Sequence, residues 1–222
     1  MNQGTDDIHL AGVPLFAPMV PASRLALQQA GAMQGLARGT VLGGTERDSL
    51  LVLLSGAVAL GVHEADRVAV LSTFQAPCVL NLACVMVQAD CEIRWRALQA
   101  VTLLSLPGPA FRAALAADLG LAARAISELA QAHQRLLSGA ASQRLRSSER
   151  RVAAYLLSLT DITTGGATVR LPYDKNLLAA LLGMTPENFS RAIGRLLDLG
   201  VSVRGSEVSI DRVERLQADL AG

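Results

Sequence analysis

Six side chains in an eleven-residue window could read a nucleic acid: Thr185, Glu187, Asn188, Ser190, Arg191 and Arg195. They lie in LPYDKNLLAALLGMTPENFSRAIGRLL, residues Leu171 to Leu197, a stretch otherwise dominated by leucine and alanine. Arginine can bond a guanine edge through two parallel N–H groups, glutamate can accept from a cytosine amino group, and serine serves either role. Steps of three and four residues put Glu187, Ser190 and Arg191 on one side of a helix, with Arg195 one turn further on. Thr185 is a natural N-cap, Pro186 suits the first helical position, and Glu187 favours the positive helix end. Base-reading groups in the first two turns are what insertion of a helix into the major groove requires. The same residues would also suit the solvated face of an ordinary helical hairpin.

A second set of reactive side chains lies upstream. Cys78, Cys84 and Cys91 follow one another with five and six residues between them, and His63 and His133 are the histidines that could join them. Three thiols at this spacing supply no four-cysteine cluster without another kind of ligand. For each cysteine alone, a small buried apolar side chain is the competing role. An odd cysteine count in a chain with few long loops predicts no disulfide framework and a reducing compartment. Nothing in the chain resembles a nucleophile elbow, a phosphate-binding loop or a His-Glu-x-x-His zinc motif, so no enzyme is expected.

Something must position these groups, and 222 residues allow one large or two modest domains. Leu177, Leu178, Leu181 and Leu182 are expected to face inward on a helix capped by Asp174, with Gly183 at the turn. The next helix should bury Phe189, Ile193, Leu196 and Leu197. GVSVRGSEVSI reads as a hairpin that follows it, Val201 and Val203 opposing Val208 and Ile210. A helix from Glu149 to Leu159, capped by Ser147 or Ser148, and a short VRL strand precede it. Between Gly39 and Leu106 short apolar runs alternate with turn residues, the pattern of a compact antiparallel roll. HEADR is expected to be a hairpin loop there, and Gly56 a bulge or close approach. A lead-in helix from Arg24 to Leu36, capped by Ser23, is expected before the roll. After Pro107-Gly108-Pro109 a short helix, Phe111 to Ala117, should give way to a long one capped by Asp118 and ending near Leu145. In that helix Leu119, Ala122, Ile126, Leu129, His133, Leu136 and Ala140 recur by threes and fours. A narrow seam of this kind needs a partner, and the same helix of a second copy is the simplest one. The expectation is an α+β fold: β-roll sensor, residues 1–110; short helix and dimerisation helix, 111–145; winged helix-turn-helix, 146–222.

Aromatic residues make up only 3% of the chain, so its cores must be built from Leu, Val and Ala. No apolar run reaches the ~18 residues of a membrane span, and MNQGTDDIHL lacks the basic and apolar parts of a leader. A cytoplasmic protein without membrane contact is expected. Residues 143–222 carry 11 basic and 9 acidic side chains, against 6 and 8 in residues 1–110. That skew is weak for a domain that neutralises phosphates, although Arg144, Arg146, Arg150 and Arg151 cluster. It keeps open an alternative: a ligand-binding or scaffold protein whose C-terminal domain docks on protein rather than DNA.

The tail LPYDKNLLAALLGMTPENFSRAIGRLLDLG resembles the DNA-binding domain of the Crp/Fnr superfamily of bacterial transcription regulators, and the resemblance extends back through a long helix to a roll. It implies a homodimer on double-stranded DNA, with RNA polymerase as a possible further partner. Glu187, Ser190 and Arg191 are similar to the Glu-x-x-Ser-Arg of the Fnr, Dnr and FixK-like branch, which implies a palindrome near TTGAT-N4-ATCAA. In the cyclic-nucleotide branch the roll holds a phosphate cassette. The corresponding stretches here are Leu80-Asn81-Leu82 and Cys91-Glu92-Ile93, so the ribose carboxylate becomes Asn81 and the phosphate-pairing arginine becomes Cys91. A buried phosphate needs that arginine, so the resemblance implies that cAMP is not the signal. Leu136 and Leu137 stand where that branch has hydroxyls contacting adenine. Dnr-like relatives imply haem as a candidate cofactor, with His63, His133 or a cysteine as axial ligand; His133 could equally be a polar seam residue. Fnr-like relatives imply an iron–sulfur cluster, but their cysteines lie mostly near the N-terminus and none here precedes Cys78. The effector pocket is expected to include Asn81, Cys78, Cys84, Cys91 and His133, its signal being haem, a thiol switch, an apolar small molecule or nothing.

Overall fold

The computed structural model describes residues 10–43, 48–64, 67–88 and 93–221. In chain order the elements are α1 (Pro21–Gln29), β1 (Ala32–Leu36), β2 (Val41–Leu42), β3 (Ser49–Ser55), β4 (Ala57–Glu64), β5 (Arg67–Gln75), β6 (Cys78–Val79), α2 (Leu82–Val87), β7 (Ile93–Ala97), β8 (Val101–Pro107), α3 (Gly108–Ala117) and α4 (Leu119–Leu145). There follow α5 (Ser148–Leu157), β9 (Ala167–Arg170), α6 (Lys175–Leu181), α7 (Pro186–Leu196), β10 (Val201–Arg204), β11 (Glu207–Ile210) and α8 (Val213–Ala221). The chain divides into two compact units, 1–134 and 135–222.

Strand β3 reads SLLVLLS, with no polar face, because both of its faces are covered. Leu51 and Leu53 join Val58, Trp95 and Leu103 in one apolar cluster. Leu50 and Val52 point the other way, to Phe16, Leu104, Phe111 and Leu121. A strand buried on both sides loses the alternation that marks a half-exposed one. The strands form two antiparallel sheets of four, in the orders β1-β8-β3-β6 and β2-β7-β4-β5. Trp95 on β7 lies opposite Leu60 on β4 and meets the Phe74 ring edge-on at 5.3 Å. Gly56 has a φ of +86°, and a Cβ there would come within 2.5 Å of the Ala100 carbonyl oxygen, so the expected close approach is present.

Two expectations need correction here. The lead-in helix starts at Pro21, not Arg24, and ends at Gln29. Val20 occupies the N-cap position, its N–H bonded to the Asp118 carboxylate at 3.0 Å, and Ser23 lies within the first turn, where it cannot be the cap. Residues 32–36 form β1 instead of helix, pairing with β8 from Ala32↔Ser105 to Leu36↔Val101. Likewise β4 runs through Glu64 and β5 begins at Arg67, so the strands absorb most of the expected HEADR loop; residues 65–66 lie outside the described residues.

Asp118 caps α4 as expected, accepting from Leu121 N at 3.0 Å. That bond first, and the bond from Val20 second, hold its carboxyl below the ordinary aspartate value. Helix α4 is 27 residues long and buries Leu121 and Ala125 in the apolar cluster of the first unit. Its other positions tell a different story: Leu119 is 86% exposed, Ile126 68% and Leu136 62%.

In the second unit Ser147 caps α5, its hydroxyl accepting from Arg150 N. Strands β10 and β11 make the expected hairpin, with Val201↔Ile210 and Val203↔Val208. β9 completes a three-stranded sheet by pairing with β11, Val169↔Val208. Helix α8 was not anticipated; Glu214 in its first turn accepts from Gly165 N at 2.8 Å and fixes it against the loop before β9.

Candidate nucleic-acid interface

The geometry of the helical pair follows from its caps. The Asp174 carboxylate accepts from Leu177 N at 2.9 Å and starts α6. Leu178 and Ala179 are its buried residues, while Leu177, Leu181 and Leu182 are half-buried. At Gly183 the chain takes a φ of +64°, and Met184 N reaches back to Ala179 O at 3.0 Å, closing the helix end. A Cβ at Gly183 would lie 3.3 Å from the Gln143 side-chain amide. The last turn of α4 thus rests on the turn between the two helices, and Arg151 donates to Gln143 O at 3.2 Å beside it.

Thr185 begins α7, its hydroxyl accepting from Asn188 N at 3.2 Å. Phe189, Ala192 and Leu196 are buried, and Ile193 is half-buried. Leu197, expected in the core, is exposed, because the chain leaves α7 at Leu196 and enters a 3-10 turn. Ala192 takes its place in the inward row. Glu187, Asn188, Ser190, Arg191 and Arg195 are all exposed, so one face of α7 presents the sequence-predicted polar groups together. The Glu187 carboxyl is held below its ordinary value by its own backbone N–H, then the Thr185 hydroxyl, then the Arg191 charge. It is therefore ionised and can only accept hydrogen bonds at neutral pH, as recognition of an amino group requires.

Arg195 does not stand free. Its guanidinium pairs with the carboxylate of Glu149 in the first turn of α5. Sequence reasoning missed Glu149, since no local periodicity links positions 46 residues apart. At the hairpin tip Arg204 and Glu207 are exposed around Gly205, and Arg170 sits across from Glu207 on β9.

The residues expected at an effector pocket are placed differently. The Asn81 amide is spent on β3: Oδ1 accepts from Leu51 N and Nδ2 donates to Ser49 O, both at 2.8 Å. Its side chain thus extends the β6–β3 pairing. Cys78 is half-buried on β6, whereas His133 is exposed on α4. Cys84 on α2 is disulfide-bonded, which corrects the expectation that the cysteines form no disulfide. Cys91 and the side chain of His63 lie outside the described residues. Among the described residues no three His, Cys, Asp or Glu side chains gather as a metal site. Burial first and the Glu128 charge second push the Cys78 thiol up to about 11. A thiol so held fits a thiolate-ligated haem poorly, since the thiolate is the ligand.

That shift has a measurable consequence. Starting from an ordinary value of 9.0, the thiolate population of Cys78 in neutral buffer is about a hundredfold below that of the unfolded chain. Iodoacetamide should therefore modify Cys78 about a hundredfold more slowly in the native protein than in denaturant, as read by mass spectrometry at pH 8. Equal rates would show the thiol to be open and ionisable. Because the folded value is the higher one, the stability it supports is intact below pH 9 and declines as pH rises toward 11.

The chain thus combines a roll of two antiparallel sheets, a long helix and a winged helix-turn-helix whose second helix has an exposed polar face. Residues 150–219 match the family described as the Crp-like helix-turn-helix domain. A putative cyclic nucleotide binding protein from Ruegeria pomeroyi is 26% identical over 96% of this chain and 95% of its own, with a TM-score of 0.58. In fold the chain is also similar to a CooA mutant from Carboxydothermus hydrogenoformans (16% identity, 86% and 88% covered, TM-score 0.75) and to FixK2 from Bradyrhizobium japonicum (16%, 85% and 96%, 0.69). No curated protein matches the chain at a significant level. Residues 150–219 are thus matched to the Crp-like helix-turn-helix family, and the chain as a whole is similar in fold to regulators of the Crp/Fnr family. No helix of the described residues is long and apolar enough to cross a membrane.

Proposed function

We propose that the protein is a cytoplasmic homodimeric regulator that reads a TTGAT-N4-ATCAA-like palindrome and answers a signal other than cAMP. The observation that carries this reading is the exposed face of α7, where Glu187, Ser190 and Arg191 sit together just after the Thr185 cap. Thr185 and Asn188 flank them at the helix start, the end that meets bases and phosphates. Dimerisation is supported by the exposure of Leu119, Ile126 and Leu136 on the α4 seam, of which Leu129 packs instead on the first unit's apolar cluster. Two copies joined along that helix would present two α7 helices to half-sites about 34 Å apart. In this scheme residues 1–110 sense, 111–145 join the copies and 146–222 read DNA.

For the signal, loss of the cassette arginine and the commitment of Asn81 to β3 argue against a nucleotide phosphate. The disulfide at Cys84 favours a redox signal over haem, because disulfides in cytosolic proteins are usually transient sensors or catalysts. Arg191→Ala should weaken binding to the palindrome by about 1–3 kcal/mol, roughly ten- to a hundredfold, and relax discrimination at one base pair. A gel-shift titration checks it; equal binding by variant and wild type would remove Arg191 from the reading face. Selection from random duplexes with no enriched palindrome would point instead to a C-terminal domain that docks on protein.

A further inference from the structure

Arg195 sits one turn beyond Arg191, about 6 Å further along α7 and away from the turns that enter a groove. Its partner is the better anchored of the two: Glu149 is 22% exposed and Arg195 71%. Glu149 lies in the first turn of α5, where its own backbone N–H, then the Ser147 hydroxyl, then Arg195 hold its carboxyl below the ordinary value. The positive end of α5 favours an anion there as well. The carboxylate is therefore fixed by local bonds, and pairing costs conformational freedom mainly in one side chain rather than two.

The other restraints on α7 are of another kind. Phe189, Ala192 and Leu196 hold it by apolar burial on the opposite face. Apolar burial is non-directional, so it resists withdrawal of the helix more than a small rotation about its axis. Among the described residues the Arg195–Glu149 bond is the one side-chain hydrogen bond that ties α7 to another helix. A directional tie across the last turn supplies what the apolar face lacks.

We infer that Arg195 is a positioning residue and not a DNA contact: with Glu149 it sets the axial rotation of α7, and with it the direction in which Glu187, Ser190 and Arg191 face. This rests on the reading of α7 as the base-reading helix. Rotation matters because groups on the rim of a helix swing toward or away from a base edge when the helix turns, while phosphate contacts tolerate the change.

Full-length wild type, Glu149→Gln, Arg195→Met and the double variant would be titrated by fluorescence anisotropy across a salt series. The probes are a duplex bearing TTGAT-N4-ATCAA and one with altered half-sites. Hydrogen exchange of residues 193–196 would be followed in the free proteins. Each single variant should lower the ratio of matched to altered binding by about fivefold, the double should be no worse than either, and the salt slope should stay as in wild type. Exchange of the last α7 turn should quicken severalfold in both singles. The proposal is overturned if Arg195→Met weakens both duplexes alike and lowers the salt slope by about one while Glu149→Gln binds as well as or better than wild type. That pattern makes Arg195 a phosphate contact. If wild type itself does not distinguish the duplexes, the DNA-reading assignment fails separately. Exchange then decides the tie: faster in both singles sustains it, unchanged in either ends it.

Discussion

Phe189→Ala should destabilise the second unit by about 3–5 kcal/mol, enough to unfold much of it at physiological temperature. The ring is 1% exposed and belongs to the cluster of Val152, Leu156, Leu178 and Val208. Those residues come from α5, α6 and β11, so no single element can move in to fill the space. An alanine leaves a cavity whose lining loses dispersion contacts outright, in addition to the lost transfer free energy. The neighbouring Asn188→Ala is the control, because its side chain is exposed and only its backbone N–H bonds to Thr185. It should change stability by no more than about 0.5 kcal/mol. Urea denaturation followed by circular dichroism measures both, and a Phe189→Ala loss under about 1 kcal/mol would mean that α7 is not seated by this residue. Because Phe189 seats α7, the proposed base-reading helix, in the core of its domain, this core variant should abolish DNA binding without touching a group on the exposed face.

How much of this was legible follows from where the physics is local. The caps of α5, α6 and α7 announce themselves because a Ser, Asp or Thr oxygen accepts from the N–H three residues on wherever the helix is placed. The hairpin β10–β11 was readable from its alternation and from Gly205. The lead-in helix starts earlier than expected because Pro21, which suits a first helical position, begins it and leaves Ser23 inside the first turn. Its end was misjudged because β1 exists only as an edge partner of β8. Asn81 stands where the family resemblance implies a ligand-binding carboxylate, yet its amide bonds to a strand 30 residues earlier, which no motif encodes. The Glu149–Arg195 tie escaped notice for the same reason. Tertiary pairing decides such roles, whereas capping and periodicity decide where helices lie.

Introducing charge into the α4 seam should separate the copies. In Ile126→Glu with Leu136→Glu, two apolar side chains that are already exposed in the single chain become carboxylates. Neither belongs to a buried cluster, since α4 contributes Leu121, Ala125 and the half-buried Leu129 to that of the first unit and nothing to that of the second, so the fold of each chain should survive. In a dimer packed along α4, however, four carboxylates would have to leave water without partners, a cost of several kcal/mol per charge. Sedimentation equilibrium should therefore report a monomer for the variant and a dimer for wild type. Binding to the palindrome should fall by roughly 10²–10⁴, since the second half-site no longer enjoys the effective concentration that a joined partner provides. Binding to a single TTGAT half-site should be unchanged, which separates lost pairing from lost reading. A variant that stays dimeric with unaltered circular dichroism would place the contact between copies elsewhere on the chain. The seam of Leu119, Ile126 and Leu136 would then need another occupant, because side chains this apolar in one stripe cost free energy whenever water covers them.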